Sequence, residues 1–178
     1  MRVILIGYRG SGKSVIGEGL ARKLGMAFAD ADLEIERNAG RTISEIFAEG
    51  GETEFRRQER DVMETLLGED HLVVAAGGGA VLHPETRQEL VDANRVIWLT
   101  ADPGVLAERI SLDLSSSSRR PSLTSGDVLG EIAEVLNTRE PIYRECATLE
   151  VSTENRSVEE LIDEIANLLT GPDSRHES

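Results

Sequence analysis

The sequence predicts an α/β fold: a three-layer α/β/α domain around a parallel sheet of about five strands. Three observations carry this expectation. Short apolar runs alternate with longer segments whose apolar residues recur at helical spacing, the pattern of βαβ units. The apolar content is aliphatic, with one Trp, two Tyr and three Phe in 178 residues, as suits strands covered on both faces. The first apolar run passes through a glycine-rich turn directly into a helical pattern.

Val3 to Ile6 reads as a buried first strand that ends at Gly7. From Lys13 to Leu24, Val15, Ile16, Leu20 and Leu24 fall near helical spacing, and Gly25 stops the helix. Ala27 to Ala29 is the second strand, closed by Asp30-Ala31-Asp32, and Leu33 to Asn38 begins a helix. Thr42-Ile-Ser-Glu45 is a capping box that opens another. Glu52 to Leu67 is amphipathic, with Phe55, Val62, Met63, Leu66 and Leu67 on one side. Leu72 to Ala76 is the third strand, followed by Gly77-Gly78-Gly79, and Pro84 opens a helix to about Val91. Val96 to Leu99 is the fourth strand, and Asp102-Pro103 pairs an N-cap with proline at the first helical position. Ser111 to Ser125, with SSSSRRPS inside it, breaks the rhythm and reads as a mobile surface loop. A helix from about Asp127 to Asn137 follows, and Arg139-Glu-Pro-Ile-Tyr143 is read as its end. Thr148 to Val151 is the fifth strand, and Ser157-Val-Glu-Glu160 caps a last helix to about Leu169. One domain over residues 1–170 is expected, with 171–178 a disordered polar tail.

Composition narrows the function classes. The formal charge of −14 argues against nucleic-acid binding, which needs phosphate-neutralising surface. No apolar run approaches the roughly 20 residues of a membrane span, and the amino terminus lacks a signal-peptide layout. A lone cysteine, Cys146, demands no oxidising compartment. A cytoplasmic monomer acting on small molecules is the expectation. Lys13 and Lys23 are the only lysines among 19 basic residues, so any bidentate anion clamp must be built from arginine.

Gly7-Tyr-Arg-Gly-Ser-Gly12-Lys13-Ser14 matches G-x-x-x-x-G-K-[ST] in full, between a strand and a helix. Glycines let successive N–H groups turn inward toward phosphates, and the helix start adds its positive end. Lys13 reaches the terminal phosphates of a nucleotide, and Ser14 offers a hydroxyl to Mg²⁺. The N-K-x-D run that reads guanine is absent from the sequence. Asp127-Val-Leu-Gly130 matches D-x-x-G, but away from a strand end, and is read as chance.

Further candidates follow the strand ends, where an open α/β sheet places its ligand crevice. Asp30 and Asp32 suit a metal held through water or an acceptor hydroxyl, and either alone also suits a helix cap. Phe55-Arg56-Arg57-Gln58-Glu59, taken alone, reads as a solvated helix face. Gly77, Gly78 and Gly79 make either a turn or a place where a ligand approaches bare backbone. Arg119 and Arg120 before Pro121 are either a solvated loop or a cation that arrives on closure. Arg139 faces the crevice or serves a helix end.

Together these segments resemble the shikimate kinase family from Met1 to about Leu169: GYRGSGKS, DAD, EFRRQE, GGGAV, RRP and REPIY, in that order. The resemblance implies a nucleoside-monophosphate-kinase-like fold with a substrate-binding region at about 33–60 and a mobile lid at about 111–125. It implies an ATP-dependent transfer of phosphate to the 3-hydroxyl of shikimate. Gly10, Ser11, Gly12, Lys13, Ser14 and Val15 would bind ATP phosphates, with Lys13 catalytic. Ser14 would ligate Mg²⁺ and Asp30 would approach it through water. Asp32 would hold the ring hydroxyls and act as base. Arg56 and Arg139 would clamp the carboxylate, with backbone contacts from Gly77, Gly78 and Gly79. Arg120 would close over the phosphates, and Arg109 and Arg156 would flank the adenine. The chain departs from the family pattern at Val15, where Ser or Thr is common, in a longer Ser-rich stretch before Arg120, and at Ser122. The choice between Arg119 and Arg120 stays open, with Arg120 favoured because it adjoins Pro121. Two other readings compete: a kinase of the same scaffold acting on gluconate, and a module that holds nucleotide without turnover.

Overall fold

The computed structural model describes residues 1–112 and 128–171. The expected lid therefore lies, beyond Ser111 and Leu112, outside the described residues, together with Arg119, Arg120, Asp127 and the tail past Gly171.

Five strands form one sheet in the order β2-β3-β1-β4-β5: β1 (Arg2–Ile6), β2 (Ala27–Asp30), β3 (Leu72–Ala75), β4 (Val96–Thr100) and β5 (Leu149–Ser152). Every neighbouring pair is parallel, so all five carboxyl ends lie along one edge. Seven helices are described: α1 (Lys13–Leu24), α2 (Ala31–Ala39), α3 (Ile43–Gly68), α4 (Pro84–Val91), α5 (Pro103–Leu112), α6 (Val128–Cys146) and α7 (Val158–Thr170).

The pleat of β1 divides the core. Val3 and Leu5 join Ile16 and Leu20 of α1 and Leu161 and Ile165 of α7. Ile4 and Ile6 point the other way, toward Ile35, Phe55, Met63, Leu90 and Tyr143 of α2, α3, α4 and α6. All four β1 side chains are at most 1% exposed. Each contributes about 1.5–3 kcal/mol of burial, and the alternation fixes which face each helix covers. A third cluster, Tyr8 with Leu106, Ile110, Ile132 and Leu136, seats α5 and α6 beside the loop after β1.

Local signals hold at both capping boxes, Thr42 with Glu45 on α3 and Ser157 with Glu160 on α7. The two expected helices within 43–67 form one helical run broken at Gly51, whose φ of 69° is non-helical. The carboxyl half of that run is clamped to α4 by Arg60, which donates to both oxygens of Glu89 at 2.7 and 2.8 Å.

The largest departure from an expected boundary lies in α6. The helix expected to end near Asn137 continues to Cys146 with Pro141 inside it. An internal proline costs about 3 kcal/mol. The continuation offsets this by burying Tyr143 and Cys146, at 0% and 2% exposure. Among the described residues, no helix is long and apolar enough to cross a membrane.

Candidate active site

The loop leaving β1 is shaped by close approach. Gly7, Gly10 and Gly12 all have φ between 82° and 139°, a region L side chains rarely adopt. A Cβ on Gly7 would lie 2.5 Å from the Leu99 carbonyl oxygen of β4. Lys13 opens α1, and its ammonium donates to the Gly7 and Tyr8 carbonyls at 2.9 Å each. These contacts hold the cation against the loop. Ser11 is buried and Val15 exposed.

Ser14 and Asp30 meet: Ser14 Oγ donates to Asp30 Oδ2 at 2.5 Å. The other Asp30 oxygen accepts from the Asp32 and Leu33 amides at 3.0 and 3.3 Å and caps α2. The helix-cap reading of Asp30 therefore holds at one oxygen, while the other faces the Ser14 hydroxyl. The Ser14 hydroxyl and the Asp30 carboxylate form a pair of hard oxygen donors beside the loop.

The triple glycine is where the acceptor-side candidates converge. A Cβ on Gly77 would meet Glu59 Oε1 at 2.6 Å and Asp32 Oδ1 at 3.0 Å. A Cβ on Gly79 would collide with the Arg56 guanidinium, with Cζ and Nη2 each at 2.9 Å. Gly78 lies beside the phosphate loop, 3.5–3.6 Å from the Arg9 amide nitrogen and the Gly7 carbonyl oxygen by the same measure. At Gly77 and Gly79 the space freed by a missing side chain is thus taken by the protein's own charged groups. Arg139 reaches the same segment from α6, with Nη1 donating to the Gly78 carbonyl at 3.0 Å.

Arg56 and Arg57 go separate ways. Arg57 is exposed and pairs with Glu54 and Asp61, the solvated face expected of the run. Arg56 turns inward and donates to Glu59 Oε2 at 2.6 Å and to Glu52. Burial works against its charge, but the attraction of Glu59 and the hydrogen bonds to Glu59 and Glu52 outweigh it and raise the guanidinium above its ordinary value. Glu59 itself is 3% exposed. A carboxylate this deep needs a cation beside it.

Sequence reasoning passed over Glu59, although a signal existed. It shares a helix stripe with Phe55, Val62 and Leu66, and a charge on an otherwise apolar stripe marks a paired or functional group. Thr153, after β5, had no such signal. It is buried, and its hydroxyl and carbonyl accept from Arg109 at 2.8 Å each. Arg109 also reaches the Gly10 carbonyl at 3.4 Å, which ties it to the phosphate loop. Arg156 is ion-paired with Glu164 of α7. Arg120 lies outside the described residues.

The chemistry of this arrangement is two-sided. An anion cradle with a fixed lysine and an oxygen-donor pair faces a cluster of two arginines and two carboxylates across the Gly77–Gly79 backbone. The shikimate kinase family model matches residues 9–170. A shikimate kinase of Symbiobacterium thermophilum is 40% identical over 169 residues, covering 95% of this chain and 96% of that protein. Among solved structures, a shikimate kinase from Acinetobacter baumannii in complex with shikimate has a TM-score of 0.90 and 32% identity, covering 99% of this chain and 95% of that one. A gluconokinase from Sinorhizobium meliloti, at a TM-score of 0.55 and 20% identity over 92% of this chain and 89% of that one, shares the fold alone.

Proposed function

This chain belongs to the shikimate kinase family, and from that membership we propose that it transfers the γ-phosphate of ATP to the 3-hydroxyl of shikimate, yielding shikimate 3-phosphate and ADP. The observation that carries the proposal to these residues is the convergence of Asp32, Arg56 and Glu59 on the Gly77–Gly79 backbone, with Arg139 on the Gly78 carbonyl. Shikimate is a carboxylate that bears ring hydroxyls. It calls for a bidentate cation at one end and carboxylate acceptors at the other.

In this reading the loop from Gly10 to Val15 and the start of α1 receive the ATP phosphates. Lys13 supplies fixed positive charge where negative charge develops on the transferring group. Ser14 and Asp30 suit Mg²⁺, which takes few protein oxygens and keeps waters and substrate phosphates as its other ligands. When bound, the ion would neutralise phosphate charge. Arg109, held by Thr153 beside Gly10, flanks the nucleotide, and Arg156 lies further out toward α7. Arg56 and Arg139 take the carboxylate, with Gly77, Gly78 and Gly79 lining the acceptor. Asp32 orients the acceptor hydroxyl and accepts its proton as the oxygen attacks phosphorus. Residues 33–60 then form the acceptor-binding region of one kinase domain spanning 1–170. The protein works as a monomer in the cytoplasm, on small molecules, without nucleic acid or membrane.

The test is an ADP-release assay of the purified chain with ATP and Mg²⁺, offered shikimate or gluconate in parallel. ADP should appear in step with a shikimate product heavier by one phosphoryl group. Turnover of gluconate but not shikimate would overturn the acceptor assignment. Nucleotide binding without turnover of either would overturn the catalytic one.

A further inference from the structure

Tyr143 is wholly buried, yet its hydroxyl donates to a backbone oxygen at the edge of the acceptor site. The bond runs to the Gly78 carbonyl at 2.5 Å. The same oxygen accepts from Arg139 Nη1 at 3.0 Å. Arg139 and Tyr143 stand one helical turn apart on α6, so both reach one target from one face. The Tyr143 ring is held in turn by Trp98 of β4, with ring centroids 5.8 Å apart and planes inclined by 27°. The chain of contacts runs from the central sheet through a rigid aromatic pair to the Gly78 peptide, and from there to the Arg139 guanidinium.

A peptide carbonyl has two acceptor positions. Here one is engaged by Tyr143 and the other by Arg139. The first bond fixes the direction of the Gly78 carbonyl, because the peptide unit is planar and its one pinned oxygen orients the whole plane. The second seats one edge of the Arg139 guanidinium on that fixed oxygen. A guanidinium carries five N–H groups in a planar fork, so an edge seated on Gly78 leaves other donors in a defined direction.

We propose that Tyr143 is a positioning residue for acceptor binding: its hydroxyl pins the Gly78 carbonyl and thereby sets the orientation in which Arg139 meets the acceptor carboxylate. This rests on the proposed placement of Arg139 at that carboxylate. Without the hydroxyl, the Gly78 peptide is free to tilt and its vacated acceptor position competes for the arginine. The carboxylate then meets a less ordered fork. The reacting hydroxyl and the nucleotide, held by other groups, are untouched.

The test is Tyr143→Phe, which keeps the buried ring and removes one oxygen. The shikimate KM should rise about tenfold, as for loss of one well-made hydrogen bond to a buried carbonyl. The kcat and the ATP KM should stay within about twofold on the same order-of-magnitude basis. Trp98 is the chain's one tryptophan, so its fluorescence reports whether the ring at position 143 still packs. A double-mutant cycle with Arg139→Ala supplies the readout that a merely structural tyrosine would not move. In the Arg139→Ala background, Tyr143→Phe should produce no further rise in shikimate KM. An additive rise in that background, or an equal loss of ATP affinity, would overturn the positioning role. An unchanged shikimate KM in Tyr143→Phe, with Arg139→Ala impaired, would overturn it while sparing the placement of Arg139. An unchanged shikimate KM in Arg139→Ala itself would overturn that placement and the inference built on it.

Discussion

Gly79→Ala tests the placement of Arg56 through the space that the triple glycine leaves for its guanidinium. The φ of Gly79 is −106° and its ψ is 0°, a conformation alanine also adopts. Backbone strain is therefore absent, and reduced freedom of the unfolded chain should stabilise the fold by about 0.4–1 kcal/mol. The new methyl would overlap the Arg56 guanidinium, whose Cζ and Nη2 lie 2.9 Å from the Cβ position. Nη1 lies closer still, so relief to an ordinary contact of about 3.5–4.0 Å requires the guanidinium to move by roughly 1–2 Å. A groove of about 540 Å³ is walled in part by Arg56, Arg57, Arg60 and His83 and gives the guanidinium room to move. That movement withdraws Arg56 from Glu59 and from the acceptor. Charged hydrogen bonds of this kind contribute about 1.5–3 kcal/mol, so the shikimate KM should rise roughly 10- to 150-fold. The ATP KM should hold, and the thermal midpoint should fall by up to about 10 °C, because the buried Glu59 carboxylate loses its cation and that loss exceeds the gain from the restricted unfolded chain. Steady-state kinetics with each substrate varied in turn, beside a thermal melt, measures all three quantities. A folded variant with wild-type shikimate KM would refute the placement of Arg56, and one impaired chiefly toward ATP would move that arginine to the nucleotide side.

Lys13→Ala should lower kcat by at least about 10²–10³-fold, the usual cost of removing a fixed transition-state charge, with the melt little changed; a near-normal kcat would contradict the assignment. Asp32→Asn keeps shape and hydrogen bonding but cannot take up a proton as a carboxylate does, so kcat should fall about 10²–10⁴-fold if Asp32 is the base. A loss in shikimate affinity alone would make it an orienting group. The capping carboxylates give a pH test. The backbone N–H of Thr42, then its hydroxyl, holds Glu45 below its usual 4.5, and Ser157 does the same for Glu160. The unfolded chain binds those protons more readily, so this stabilisation is complete above pH 4.5 and is lost as pH falls through the lower folded values. The Glu45→Gln, Glu160→Gln double variant should lose less of its melting temperature between pH 6 and 3.5 than the parent; parallel curves would rule the linkage out.

Sequence alone determined what local physics encodes. The continuous apolar run of β1, helical spacing from Lys13 to Leu24 and the serine and threonine caps are legible because apolar pattern and backbone donors act within a few residues. The phosphate loop is legible for the same reason, since its glycines, lysine and serine work through one continuous turn. The Asp, Arg and Gly candidates of the acceptor side were also visible as residue types, but not as partners. Their meeting depends on β3 lying between β1 and β2, so that Gly77–Gly79 emerges between the phosphate loop and the Asp32 turn. Only the tertiary structure decided that Arg56, rather than the adjacent Arg57, turns inward, because a helix rotates about 100° per residue and packing chooses the buried face. It also decided that α6 runs through Pro141. A local penalty of about 3 kcal/mol yields there to the burial of Tyr143 and Cys146 and to two side-chain bonds on the Gly78 carbonyl, energies that come from residues more than 60 positions away in sequence and leave no local pattern to read.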